Sequence, residues 1–273
     1  KTKNPLKKLF IKICRLMGYE IIDQNNFYIP TSNKNLNETL SKLGLKSINL
    51  PLGEVKITRK VNALDIIIRS CSSVNMLTQN KQRIFAKDKI DYTLRSINSI
   101  LRSVNYSKKH RFNIDIKIIV IDHNSSEENL KKITNLLKES SLPFKLLNLD
   151  LVEFDKKIKK TNEKNEIVTP NQISNMSNIY KSLLMSKMSN DLIYFVEDDY
   201  VHELDSVTEM LFAYERIASL TGEELVICPT DYPYLYVEAA NTKVYLGENY
   251  HWRKINETLC TFLTSKQLVE KHW

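Results

Sequence analysis

Three consecutive carboxylates, Glu197, Asp198 and Asp199, close the segment Asp191-Leu-Ile-Tyr-Phe-Val-Glu-Asp-Asp-Tyr200. Side by side they repel one another unless a cation or a sugar hydroxyl takes up the charge. Hard oxygen ligands at the end of a rigid strand suit Mg2+ or Mn2+, and such ions usually also hold a substrate phosphate. A phosphate-bearing substrate is the first expectation. The alternative is structural, because acidic residues are favoured at the start of a helix, facing its positive dipole end. The pattern from His202 to Ser219 reads as such a helix, with Leu204, Val207, Leu211, Tyr214 and Ala218 on one face.

The elements around the triplet decide what it can face. Residues 21 to 60 hold Asn-rich stretches, a short helical pattern from Leu36 to Leu45, and Pro30, Pro51 and Gly53, and read as a connecting segment. From Val61 onward strands and helices alternate. Leu64 to Ile68 predicts a first strand, Tyr92 to Val104 a helix, and Ile114 to Ile121 a second strand. Ser125 starts a helix with Glu128 at the capping-box spacing, its buried face formed by Leu130, Ile133 and Leu137. Phe144 to Leu149 is a third strand. Asn171 to Met188 is a helix with Ile173, Met176, Tyr180 and Leu183 inward, and Leu225 to Cys228 a strand after the acidic one. The order predicts an α/β fold, a mainly parallel sheet flanked by helices with right-handed crossovers.

In such a sheet the loops at strand C-termini form the binding crevice. Those positions read Arg69-Ser-Cys-Ser-Ser-Val-Asn75, Asp122-His-Asn-Ser125, Glu197 to Asp199, and Pro229-Thr-Asp-Tyr-Pro-Tyr234. Arg69 can pair with a phosphate in bidentate fashion. Asp122 can accept hydrogen bonds from a base edge or a ribose. A lone Asp after a strand is usually a turn or cap residue, whereas several polar exits on one edge suggest a site.

The ordered set resembles a family. A first strand with a polar exit is followed by Ile119-Val-Ile-Asp-His-Asn-Ser125. Next comes Asn171-x-x-x-Asn175-x-x-Asn178 opening a helix, then the acidic strand. Together these look like the nucleotide-sugar domain of GT-A glycosyltransferases, most similar to the family 2 type, over roughly residues 61 to 235. The resemblance implies a GT-A-like, Rossmann-related fold that binds a nucleotide-sugar donor through Arg69, Ser70, Asp122, Asn175 and Asp198. Glu197-Asp198-Asp199 occupies the family's DXD position, with Glu replacing the first Asp. Asp199, with Glu197, would then ligate Mn2+ or Mg2+, and Asp198 would contact ribose or donor sugar.

An inverting transfer also needs a carboxylate to take the acceptor hydroxyl proton. Gly247-Glu-Asn-Tyr-His-Trp-Arg-Lys-Ile-Asn-Glu257 supplies Glu257 as the candidate, with Tyr250, Trp252 and Arg253 as acceptor-side residues. Glu257 also reads as a surface or helix-start carboxylate, and Trp252 as a core aromatic. The chain stops at Glu270-Lys-His-Trp273 inside a predicted helix, which leaves open a base beyond the sequence.

Bulk properties narrow the class. With 273 residues and 42% hydrophobic content, the chain can bury a substantial core. Cys14, Cys71, Cys228 and Cys260 are scattered without a Cys-x-x-Cys pair, which argues for reduced cysteines and a cytoplasmic setting. The sequence contains no apolar run of membrane-spanning length and no signal-peptide pattern. Its net charge of +8 is uneven. Lys1, Lys3, Lys7, Lys8, Lys12 and Arg15 interleave with Leu6, Leu9, Phe10, Ile13, Leu16 and Met17 at helical spacing. Such a basic amphipathic helix either lies on an anionic membrane surface, such as the inner face of the membrane, or docks on the domain with its lysines solvated. Nucleic acid is not expected, since no helix-turn-helix, zinc-finger or RNP pattern is present.

Residues 1–60 are thus read as helix and connecting segment, and residues 61–273 as the transferase domain acting on a glycan or lipid-linked acceptor. Two rivals stand beside it. A nucleotidyltransferase usually carries a Gly-rich phosphate loop after its first strand, and this chain has no glycine between Gly53 and Gly222. A non-catalytic glycan- or nucleotide-binding module would keep the fold without turnover.

Overall fold

Residues 5–19, 56–73, 88–110, 113–162, 164–230 and 242–272 are described by the computed structural model. The helical pattern expected from Leu36 to Leu45, the loop residues Val74 and Asn75, and Asp231 to Tyr234 lie outside them. Two units separate, residues 1–55 and 56–273. In the first, Pro5–Leu16 forms helix α1. Its apolar residues Leu6, Leu9, Phe10, Ile13 and Leu16 are exposed. No helix among the described residues is long and apolar enough to cross a membrane.

The second unit is an α/β layer structure. Strands β1 (Ala63–Ser70), β2 (Asp115–Asp122), β3 (Phe144–Asn148) and β4 (Leu192–Glu197) alternate with α2 (Lys89–His110), α3 (Glu127–Glu139) and α4 (Pro170–Ser186). Then follow α5 (Ser206–Thr221), β5 (Val226–Ile227), β6 (Val244–Leu246), β7 (His251–Arg253), β8 (Phe262–Ser265) and α6 (Lys266–His272). The main sheet has the order β3-β2-β1-β4-β8-β5, and β6 and β7 form a separate hairpin. Pairs β1–β2, β2–β3 and β1–β4 are parallel, whereas β8 runs antiparallel to β4 and β5.

Every residue of β1 is buried, as a central parallel strand covered on both faces requires. Leu64, Ile66 and Ile68 join a core with α2, α3 and α5 residues such as Ile97, Ile133 and Leu211. Ile67 faces the other layer with Ile121, Phe195 and residues of α4 and α6. Each such aliphatic side chain contributes about 1.5–3 kcal/mol by leaving water.

Local differences from the sequence reading have physical causes. α3 is capped by Ser126, whose hydroxyl accepts from Asn129 N, because Ser125 is drawn into bonds with Asp122; Glu128 instead pairs with Lys132 one turn on. The fully buried residues of α4 are Ser174, Ser177, Asn178, Ser182 and Ser186, whereas its apolar Tyr180, Leu183, Leu184 and Met185 are partly buried and pack against the Ile67 core. Small side chains let that helix lie close over β1 and β2, and Asn178 Nδ2 donates to the Ile121 carbonyl at 2.9 Å. Its start is fixed by a capping box between Thr169 and Gln172 with Pro170 beside it. α5 begins at Ser206, and Leu204 before it is exposed. The helix ends at Gly222, whose φ of 72° is the left-handed conformation glycine adopts without strain.

The segment leading into α5 is pinned by His202. Its backbone N–H donates to Ser99 Oγ at 2.9 Å, and its Nε2 lies 2.7 Å from Tyr194 Oη. Burial lowers its imidazole from 6.5 to about 4. The unfolded chain takes up that proton first as pH falls. The stability His202 contributes is therefore whole above pH 6.5 and is lost as pH falls through about 4, by at most roughly 3 kcal/mol. Urea-unfolding midpoints across that window should fall more steeply for the wild type than for His202→Gln, which has no ring to protonate.

Candidate active site at the sheet switch point

β1 has β2 on one side and β4 on the other, so the chain changes its direction of travel across the sheet there. A switch point of this kind opens a crevice at the strand C-termini. Ser70 lies opposite Asp122, and Arg69 opposite Glu197. The polar exits of three strands thus share one edge. Successive residues of a strand point to opposite faces, and this sorts the cluster into two halves.

On the α4 face, the buried Arg69 sets Nη2 2.9 Å from Glu197 Oε1 and donates from Nη1 to Asn175 Oδ1 at 3.0 Å. Ser174, beside Asn175, bonds His123 Nδ1 at 2.8 Å. Burial raises the Glu197 carboxyl above its ordinary value, and the Arg69 guanidinium opposes that rise.

On the α2 face, Asp122 is only 2% exposed. It accepts from Ser70 Oγ at 2.8 Å, Ser125 Oγ at 2.7 Å and Ser125 N at 3.0 Å. Ser72 and Asn129 extend this network between the two loops. Asn124 supports the turn in the left-handed region, φ 60°, which Asn tolerates better than most residues. Asp122 and Ser70 therefore hold the β1 and β2 exits together.

The triplet divides by environment. Asp198 is buried, with Oδ1 2.7 Å from Lys89 Nζ and Oδ2 accepting from Thr93 Oγ1 at 2.7 Å and Cys71 N at 3.3 Å. Burial pushes its carboxyl above the ordinary range, against the pull of the Lys89 ammonium. A raised carboxyl binds its proton more tightly in the fold than in the unfolded chain. For Asp198 and Glu197 the resulting stability is present at low pH and lost as pH rises through the raised values, opposite to His202. Asp199 has a side chain 36% exposed, and its described partner is Lys89 Nζ at 3.8 Å. Asp199 stands seven residues before Ser206, and Asp205 holds the N-cap position of α5, so the triplet does not cap that helix.

Among the described residues, no group of three or more His, Cys, Asp or Glu side chains converges as a metal cage. Mg2+ at phosphate sites needs less than a cage: one or two carboxylates, with water and phosphate completing the shell. Asp199 fits that demand, and the neighbouring Glu197, faced by Arg69 at one oxygen, has its second carboxylate oxygen to offer.

The downstream candidates sit on the β6–β7 hairpin and the segment after it. Glu209, buried in α5, accepts from Glu248 N at 3.1 Å, Asn249 N at 2.9 Å and Trp252 Nε1 at 2.9 Å. Trp252 also packs against the core, so its indole anchors the hairpin. Tyr250 is its open aromatic, 55% exposed. Arg253 is half-buried in β7, and Glu257 is exposed between β7 and β8. Four residues after Glu257, Thr261 Oγ1 accepts the Glu197 N–H at 3.2 Å, which brings that segment back to the acidic strand.

Lys89, Thr93 and Glu209 escaped the sequence reading. Lys89 and Thr93 lie about twenty residues beyond β1 and carry no local signal. Glu209 could have been found, as a carboxylate among the apolar positions Val207, Met210 and Leu211. A cleft of about 240 Å3 lies at the opposite edge, by Ala63, Asp65 and Pro143, away from these groups.

No family model and no curated protein sequence matches the chain. Among solved structures it is similar to a crystal structure of an active-site mutant of LgtC, at 12% identity and a TM-score of 0.29. The likeness covers 54% of this chain and 41% of that one. At that level it carries no argument, and the sheet order and site geometry stand on their own.

Proposed function

We propose that the chain is a metal-dependent glycosyltransferase, moving a sugar from a nucleotide-sugar donor to a glycan or lipid-linked acceptor on a GT-A-like domain. One observation carries the reading: Arg69, Lys89, Glu197, Asp198 and Asp199 meet at the switch point, where an α/β sheet binds a ligand's phosphates.

In this reading Asp199, with Glu197, would hold Mn2+ or Mg2+, which when bound would offset the negative charge that grows on the leaving diphosphate. Arg69 orients Glu197 and Asn175 along the donor. Ser70 and Asp122 shape the nucleotide end by tying its two loops, and Asp198, buried with both oxygens engaged, positions Lys89 instead of contacting ribose or sugar. Tyr250 and Arg253 meet the acceptor, with Trp252 fixing their hairpin. Glu257 takes the acceptor hydroxyl proton in an inverting transfer. The hydroxyl oxygen bonds to the anomeric carbon, and the carbon–phosphate oxygen bond breaks with its electrons leaving on the diphosphate.

The basic and apolar residues of α1 support a membrane-proximal place of work, on an anionic surface. The activity is tested by sugar-nucleotide hydrolysis across several donors with and without Mn2+. Turnover of one donor that needs the ion supports the reading. Binding without turnover of any donor, with or without the ion, favours a non-catalytic module.

A further inference from the structure

Lys89 opens α2 and is partly buried against the acidic edge, its side chain 12% exposed. Its ammonium lies 2.7 Å from Asp198 Oδ1 and 3.8 Å from Asp199 Oδ2. Thr93, one turn along the same helix, binds the other oxygen of Asp198, so both carboxylate oxygens are fixed by α2. A lysine placed in this way does more than neutralise a buried acid. It puts a positive charge beside Asp199, the carboxylate that the donor's ion would use.

We propose that Lys89 is a resident cation of this site, which holds the Asp198–Asp199 pair ready for an anionic diphosphate and opposes a divalent ion that arrives ahead of it. The inference rests on the reading that the pair faces a donor diphosphate. With Lys89 and Arg69 against Glu197, Asp198 and Asp199, the ionised cluster carries one net negative charge. Removing the ammonium doubles that charge and deletes a like charge 3.8 Å from Asp199 Oδ2. The same removal takes away a fixed attraction for phosphate oxygens. Lys89 therefore acts on the ion and on the diphosphate with opposite signs. A residue needed only for packing weakens both.

Mn2+ binding without any nucleotide, followed by calorimetry or by the electron paramagnetic resonance of the free ion, reads the first effect. Lys89→Met should tighten Mn2+ by about tenfold or more and weaken metal-free nucleoside diphosphate by a similar factor. Lys89→Arg keeps the charge and should leave both affinities near wild type. Thr93→Val removes a bond to Asp198 but not the ammonium, and should leave Mn2+ affinity unchanged. Should Lys89→Met not fold, as judged by its thermal midpoint and circular dichroism, Lys89→Gln carries the same expectation.

Mn2+ affinity that is equal or weaker in a folded, charge-free variant overturns the proposal. Failure of every nucleoside diphosphate to bind, with or without Mn2+, would instead sink the donor reading. The Mn2+ comparison would still decide the role of Lys89.

Discussion

Asp199→Ala should lower sugar-nucleotide turnover by about a thousandfold while leaving the fold nearly as stable as the wild type. The size follows from losing one well-placed charge-stabilising group at a developing anion, typically a hundred- to thousandfold, together with loss of the ion it orients. The small stability cost follows from exposure: among the described residues Asp199 has one charged partner, at 3.8 Å, and exposed pairs contribute about 0–1 kcal/mol. Asp198→Ala makes the contrast. It removes a buried carboxylate bonded to Lys89, Thr93 and Cys71 N, and strands the Lys89 ammonium. Breaking a buried pair from one side typically costs about 3–5 kcal/mol. Thermal midpoints measured beside initial rates separate the two: Asp199→Ala inactive but stable, Asp198→Ala inactive and destabilised. Full activity in a folded Asp199→Ala protein would remove Asp199 from the mechanism.

Gly247→Ala is the second large effect, and it is steric. A Cβ there would lie 1.8 Å from Glu209 Oε1, 2.7 Å from Trp252 Nε1 and 2.8 Å from the Tyr250 carbonyl oxygen. None of these is the loose end of a solvated side chain, since Glu209 is buried and bonded to the turn. The hairpin has to move away from α5, at a cost of about 2–3 kcal/mol, or a fall in melting temperature of several degrees. The same cause predicts non-additivity. In a Glu209→Ala background the closest obstacle is gone, so adding Gly247→Ala should cost less than it does in the wild type. Equal costs in both backgrounds would contradict the seating of the turn on Glu209. The acceptor KM should rise more than the donor KM in Gly247→Ala, because the hairpin carries Tyr250.

The strands that matter most to the site were legible because they are buried on both faces. Ile66-Ile-Ile68, Ile118-Ile-Val-Ile121 and Leu192-Ile-Tyr-Phe-Val196 are unbroken apolar runs with polar exits, the mark of central parallel strands. The antiparallel β8 was not legible. It has four residues, carries no turn signal of its own, and enters the sheet from beyond the β6–β7 hairpin. The start of α5 was set too early because Leu204 fits the helical period, although the chain is held instead by His202 and Ser99.

For the site, the exits themselves could be read, but not their partners. Asp122 was expected to reach a ligand, and its oxygens are engaged by Ser70 and Ser125. Asp198 meets Lys89 across a separation of 109 residues, and Glu209 meets Trp252 across 43. Pairings at such distances follow from how α2 and the hairpin dock. No spacing within a motif encodes them.

The central claim is that the switch-point cluster binds a nucleoside diphosphate through Asp199 and a divalent ion. Calorimetric titration of a panel of nucleoside diphosphates into the protein with Mn2+, repeated with Asp199→Ala, tests it most directly. One base should bind in preference to the others, more tightly with Mn2+ than without, and Asp199→Ala should abolish the gain from the ion. Absence of binding across the panel, or a gain from Mn2+ that survives Asp199→Ala, would contradict it.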